Sequence, residues 1–331
     1  MALIVAVVIG GFVWVEGQIN PGGHHGPDVS VQIPTGASNS KIGSILAHDG
    51  VIHDASLFAI YVRLKGKGPL LPGAYFIAKN SSYESAIAVL KAGPKLITDR
   101  LVIPEGYSIR QMANAIAALP NLHLSAARFL AAATNGEVRS PYEPAHVNNL
   151  EGLLFPDTYP VVQGDTEIDV LEKMVGAFDD QASALGLNAL AARRHLSAYQ
   201  VVTVASIVER EAKLAADRGP VASVIYNRLA AGMTLGADST QTYYLRLSNP
   251  SLIPTVAQLE QPSPYNTRII KGLPPTPIAN PGLASLKAAA SPSATTYLYF
   301  VEVNPDGQLG YASSSAGFAQ LQAECRAAKL C

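Results

Sequence analysis

The sequence predicts an α+β fold: an N-terminal membrane anchor, a small α+β module, then a mainly helical domain carrying β-hairpin elements. Three observations lead there. Residues 2–15 are apolar, residues 29–103 alternate strand patterns with amphipathic helical runs, and helical periodicity dominates from residue 124 onward. A chain of 331 residues is long enough for two cores. A hydrophobic share of 48% against 15% charged residues excludes an intrinsically disordered chain, and a formal net charge of −1 offers a nucleic acid nothing.

The first element, ALIVAVVIGGFVWV, spans roughly 21 Å as a helix, short of a ~30 Å hydrocarbon core. No basic residue precedes it and no small-x-small cleavage site follows it. It reads as an uncleaved anchor over 1–16, completed by residues upstream of the given start; a signal peptide's apolar region and a buried helix are the other two readings. Trp14 suits a membrane interface. Residues 17–27, GQINPGGHHGP, read as a linker in which His24 and His25 are solvated.

The module over 28–97 opens with VSVQIP (29–34), which alternates as a strand. SNSKIGSILAHDG and DASLFAIYVRLKG each place a polar start before a helical pattern, a strand follows at 73–77, and a helix ends near Gly93. The domain over 98–331 begins with the strand DRLVI (99–103) and the helix IRQMANAIAAL. Near its end YLYFVEVNPDGQLGYA reads as a hairpin turning at Asp306-Gly307. Cys325 and Cys331 match no zinc or redox spacing, and a bridge between them requires the last helical turn to unwind.

The candidate chemistry lies in VASIVEREAKLA (204–215). On a helical wheel starting at Val204, Glu211 falls near ~340°, in the middle of the arc formed by Ile207, Val208, Ala212 and Ala215. Glu209 falls near ~140°, at the edge of that arc, with Lys213 one turn on. A Glu four residues before a Lys makes a favourable exposed pair, so Glu209 reads as surface decoration. A carboxylate on an apolar stripe must instead be paired, protonated or facing a cleft, and partial burial raises its pKa toward that of a general acid.

Other chemistries lack their motifs. There is no GxGxxG after a strand, no GxxxxGK[ST] and no GxSxG, and the seven histidines are scattered. No zinc or calcium loop is present, so neither cofactor nor metal is expected. Two segments, LEGLLFPDTYPV (150–161) and the stretch 227–281, are rich in Tyr, Asn, Thr, Asp, Pro and Gly, a composition that suits rigid loops beside sugar hydroxyls and equally loops packed on helices.

Taken together, LEGLLFPDTYPV, VASIVEREA, VASVIYNRLAAGMTLGADSTQTYYL, PSPYNTRIIKGLPPTPIANPG and YLYFV occur in the order seen in endolytic murein transglycosylases, and the chain resembles that MltG or YceG-like family over roughly 28–325. The resemblance implies a single-pass protein of the bacterial inner membrane, with a LysM-like module at 28–97 and an extracytoplasmic YceG-like catalytic domain at 98–331. It implies cleavage between MurNAc and GlcNAc in nascent glycan strands, leaving 1,6-anhydro-MurNAc ends, with peptidoglycan synthases as possible partners. The catalytic residue of the family's E-x-E segment corresponds to Glu211. Glu151, Asn227, Asp238, Thr240, Gln241, Tyr265 and Asn266 are the expected substrate-binding residues. Where many relatives carry L-Q-S-D-P-T, this chain reads Leu235-Gly236-Ala237-Asp238-Ser239-Thr240, and Arg268 stands where an aromatic is common. Two competing readings are an inverting hydrolase using Glu211 with Asp238, and a wall-binding scaffold without activity.

Overall fold

The structure is a computed structural model that describes residues 2–22, 26–65, 69–94 and 98–331; His24 and His25 lie outside the described residues. The chain forms two compact units, Met1–Leu96 and Ile97–Cys331.

In the first unit the order is α1 (Ala2–Ile19), β1 (Asp28–Ile33), α2 (Asn39–His48), α3 (Ala55–Leu64), β2 (Gly73–Ala78) and α4 (Tyr83–Ala92). β1 and β2 pair antiparallel, from Asp28 opposite Ala78 to Ile33 opposite Gly73. Strand alternation turns Val31, Ile33, Tyr75 and Ile77 into one core with Ile42, Leu46, Phe58 and Leu90. Ser38 and Asp54 cap α2 and α3, accepting the N–H of Lys41 and Leu57 respectively. Gly43 permits these two helices to touch, because a Cβ there would come within 2.6 Å of the Ala55 carbonyl. α1 runs on through Ile19, into the segment expected to be a linker, because Ile19 finds this core to pack against. Among the described residues no helix is long and apolar enough to cross a membrane.

In the second unit the order is β3 (Thr98–Val102), α5 (Ile109–Ala117), α6 (Ala126–Ala132), β4 (Thr158–Val162), α7 (Glu167–Leu185), α8 (Leu187–Ala192), α9 (Ala198–Glu211), α10 (Ala215–Ala230), α11 (Asp238–Ser248), α12 (Val256–Leu259), α13 (Leu283–Ala290), β5 (Tyr299–Glu302), β6 (Leu309–Ala312) and α14 (Ser315–Ala327). β3 pairs antiparallel with β4, and β5 with β6 across the Asp306-Gly307 turn.

α9 is the axis of this unit. Its residues from Val201 to Val208 are all buried, so the helix is covered on every side and packs against α8, α10, α11 and α13. Ser197 and Gln200 close its start with a reciprocal capping box. Its end is abrupt: Ala212 takes extended backbone angles (φ −97°, ψ 101°), which leaves Glu211 as the last helical residue. At the C-terminus of the chain Cys325 and Cys331 form a disulfide with Cα atoms 5.7 Å apart. The unwinding that this bridge requires is present, since α14 stops at Ala327 and Lys329 takes a left-handed conformation (φ 55°).

Candidate active site

The abrupt end of α9 presents Glu209, Arg210 and Glu211 in succession, and α11 begins opposite them with Asp238 and Ser239. Ser239 Oγ donates to Glu211 Oε1 at 2.6 Å. Glu211 is half-buried, and burial pushes its carboxyl above the usual range. The charge of Asp238 pushes the same way, while the Ser239 hydrogen bonds and the Arg210 guanidinium pull it down. A carboxyl so placed holds its proton further toward neutral pH than a solvated glutamate.

Glu209 corrects the sequence reading. It does not pair with Lys213, because α9 has ended and no following turn exists to align them. Lys213 instead binds Glu302 at 2.9 Å, whereas Glu209 accepts the Gly282 N–H at 3.1 Å and lies 3.8 Å from the Arg218 guanidinium. It is a clamp between α9, α10 and the segment leading into α13.

Beside Glu211 lies a cavity of about 320 Å³. Arg210 and Ser239, the sequence neighbour and the hydrogen-bond partner of Glu211, stand on its wall, together with Arg110, Arg246, Tyr243 and Glu151; Glu211 itself is not among the wall residues. Glu151 is a second unusual carboxyl. Only 2% of it is exposed, and burial pushes it up to about 8. It accepts from Ile109 N–H at 3.1 Å and Asn280 Nδ2 at 2.8 Å through Oε1, and from the Tyr243 hydroxyl at 3.0 Å through Oε2. Asn280, fully buried, also donates to Tyr107 O and accepts the Leu154 N–H, which ties the 150–154 strap to the segment leading into α5. Gly152 permits that strap: its φ is +86°, and a Cβ there would fall on the Pro277 ring.

The remaining expected sugar contacts are placed differently from one another. Asp238 keeps 44% of its side chain exposed but is held by Arg268, whose Nη2 donates to Asp238 Oδ2 at 2.8 Å. Tyr265 is half-buried, stacked on Tyr244 and hydrogen-bonded to Thr276. The others face inward. Thr240 is wholly buried and donates to Ala237 O; Gln241 donates to Gln258 O and Gln261 O; Asn266 donates to Leu259 O and Gln261 O. Asn227 donates to Thr295 O and Tyr297 O. These four, of which Asn227 is half-buried and the others buried, spend their polar groups on backbone carbonyls. They shape the loops and are not among the residues lining the cavity.

Ser239, Tyr243, Asn280 and the arginines of the wall were not singled out from sequence. Ser239 carried a signal, since it follows Asp238 at the start of a helix; the arginines lie on helices far apart in the chain and carried none. Among the described residues no group of three or more His, Cys, Asp or Glu is arranged to hold a metal ion.

The profile of the YceG-like family matches residues 31–324. The endolytic murein transglycosylase of Bacillus subtilis (strain 168) is 32% identical over 287 residues, covering 82% of this chain and 78% of the relative. Its counterpart from Streptococcus pneumoniae serotype 2 (strain D39) is 29% identical over 313 residues; this chain is covered to 86% and spans 56% of that longer relative. A crystal structure of the yceG-like protein lmo1499 from Listeria monocytogenes superposes with a TM-score of 0.59 at 31% identity, covering 89% of this chain and 99% of that one.

Proposed function

This chain belongs to the YceG-like family, and on that premise we propose that it is an endolytic murein transglycosylase in which Glu211 serves as both acid and base. The observation that carries the assignment is the placement of Glu211: a carboxyl whose proton affinity burial raises, at the end of a buried helix, gripped by Ser239 beside a sizeable cavity.

The chemistry needs one such group. Protonated Glu211 gives its proton to the glycosidic oxygen between MurNAc and GlcNAc, and the bond from C1 to that oxygen breaks with an oxocarbenium-like centre developing at C1. The substrate's acetamido group can shield that centre. The MurNAc 6-hydroxyl oxygen then closes onto C1 while its proton passes to the Glu211 carboxylate, which restores the acid. No water is consumed, and the nucleophile is already held within the substrate.

Of the expected sugar contacts, Asp238 and Tyr265 retain surface for substrate, and Glu151 stands in the cavity wall. An inverting hydrolase would need Asp238 as a base for water; both carboxylate oxygens of Asp238 are instead engaged by the Arg268 guanidinium. The first unit, with its β-α-α-β order, supports reading 28–97 as a LysM-like glycan-binding module. The apolar residues 2–15 support attachment to the membrane, with the catalytic unit outside the cytoplasm where nascent strands and their synthases meet.

Mass analysis of products from purified glycan strands tests the whole reading. Wild type is expected to leave ends one water lighter than a reducing MurNAc, and Glu211→Gln to lose at least about a thousandfold in rate. Reducing ends would establish a hydrolase, unchanged cleavage by Glu211→Gln would remove Glu211 as the acid, and binding without any cleavage would leave a scaffold.

A further inference from the structure

The cavity beside Glu211 is basic in a way that acid–base catalysis by Glu211 does not require. Three helices each contribute a guanidinium to its wall: Arg110 from α5, Arg210 from α9 and Arg246 from α11. Arg110 Nη2 donates to Leu247 O at 3.1 Å and Arg246 Nε to Leu252 O at 3.0 Å, while Arg210 is exposed at the rim. Among the described residues none of the three is joined to a carboxylate in an ion pair; the neighbouring acids are engaged elsewhere, Glu209 toward Arg218 and Asp238 with Arg268. The one carboxyl on the wall, Glu151, is turned to Ile109, Asn280 and Tyr243. Arg110 Nε is buried and meets no acceptor in the protein.

An unpartnered buried donor carries a cost, and guanidinium groups that share one cavity wall, of which only Arg210 lies near the Glu211 carboxyl, repel one another. Both are relieved by an anion with paired oxygens, which a guanidinium fork matches in geometry. Gln111, Asn114 and Asn149 on the same wall offer amides to neutral polar groups attached to that anion.

We propose that this cavity is a carboxylate-binding subsite, which takes the acidic substituent borne by the saccharide next to the bond that Glu211 breaks. The inference rests on the transglycosylase reading above. Hydroxyl and acetamido groups of a glycan are neutral, so the charge must come from the lactyl ether or from a peptide attached to it. Occupation of the subsite orders the strand with its glycosidic oxygen toward Glu211, and the enzyme discriminates against strands lacking the charge.

The test uses the full chain and three strands of equal length: peptide-bearing, stripped of peptide so that the lactyl carboxylate is free, and stripped with that carboxylate converted to a neutral amide. The neutral strand is expected to show a KM at least about tenfold higher than the better of the charged strands, with kcat much less affected. Comparing the two charged strands identifies which carboxylate the site holds. Arg246→Gln is expected to abolish the preference, and so is Arg210→Gln, which removes an exposed side chain and leaves the fold intact. Equal KM for all three strands, or a preference that survives in both variants, overturns the proposal. If no strand is cut, the enzymatic reading fails instead, and affinity of the three strands for Glu211→Gln protein still reports whether the cavity selects charge.

Discussion

Ser239 Oγ lies 2.6 Å from Glu211 Oε1, so the start of α11 sets both the direction and the proton affinity of the residue that ends α9. A hydroxyl donor stabilises the ionised carboxylate and opposes the upward push of burial. Ser239→Ala removes that opposition, and Glu211 then holds its proton to higher pH. The alkaline limb of the strand-cleavage profile is expected to move upward, and the maximal rate to fall about tenfold as the carboxyl loses its orientation. A limb that stays in place, or moves toward acid, contradicts this coupling.

Glu151 makes a separate prediction, in stability. Its carboxyl titrates at about 8 in the folded protein against 4.5 for the unperturbed group, so folding is favoured with the proton on. The unfolded chain releases that proton first. Stability from this group is therefore complete below about pH 4.5 and is lost as pH rises toward about 8. Glu151→Gln preserves the pattern of contacts: its Oε1 can accept from Ile109 and Asn280, and its amide can donate to the Tyr243 hydroxyl. Melting temperatures measured from about pH 5 to pH 9 should fall less steeply for Glu151→Gln, with the two proteins similar at the acid end. Parallel curves would show that Glu151 is ionised in the fold.

Gly152→Ala should be among the most damaging small substitutions. The position combines φ +86° with a Cβ direction that runs into Pro277, so backbone and packing penalties add. A loss of about 3 kcal/mol or more is expected, along with displacement of the adjacent Glu151 from its three donors. Denaturant unfolding measures it; a loss below about 1 kcal/mol would mean that the strap relaxes freely.

The disulfide at the C-terminus should matter only locally. Cys331→Ser releases a short loop whose closure is worth about 2 kcal/mol at most, and the released residues lie beyond the end of α14. Amide exchange in the last turn of α14 is expected to quicken while strand cleavage is unchanged. A fall in cleavage would give this end of the chain a role that its position does not suggest.

The direction of Glu211 was legible because it depends on helical periodicity, and α9 is regular up to that residue. The pairing of Glu209 was not, because it depends on where the helix stops. Nothing in VASIVEREAKLA marks Glu211 as the last helical position, and Lys213 therefore looked one turn away when it lies on a different path toward Glu302. The polar loops show a second limit. Asn266 and Gln241 are amides in a Pro- and Gly-rich stretch whether they face a sugar or the carbonyls of Gln258 and Gln261, and only the folded chain separates the cases. Arg110, Arg210 and Arg246 reach the wall of one cavity from three helices far apart in the chain, which no local pattern encodes.

The abrupt stop of α9 has an electrical consequence. A helix carries an effective half-charge of negative sign at its C-terminal end, where the last carbonyls point outward without partners. Glu211 sits at that end, and the extended backbone of Ala212 prevents further turns from moving the negative pole away. The peptide dipoles of α9 thus repel a second negative charge at the position where the proposed mechanism needs a protonated carboxyl. Extending the helix would weaken that influence without altering any side chain, so the break at Ala212 acts on the Glu211 carboxyl as much as on the fold.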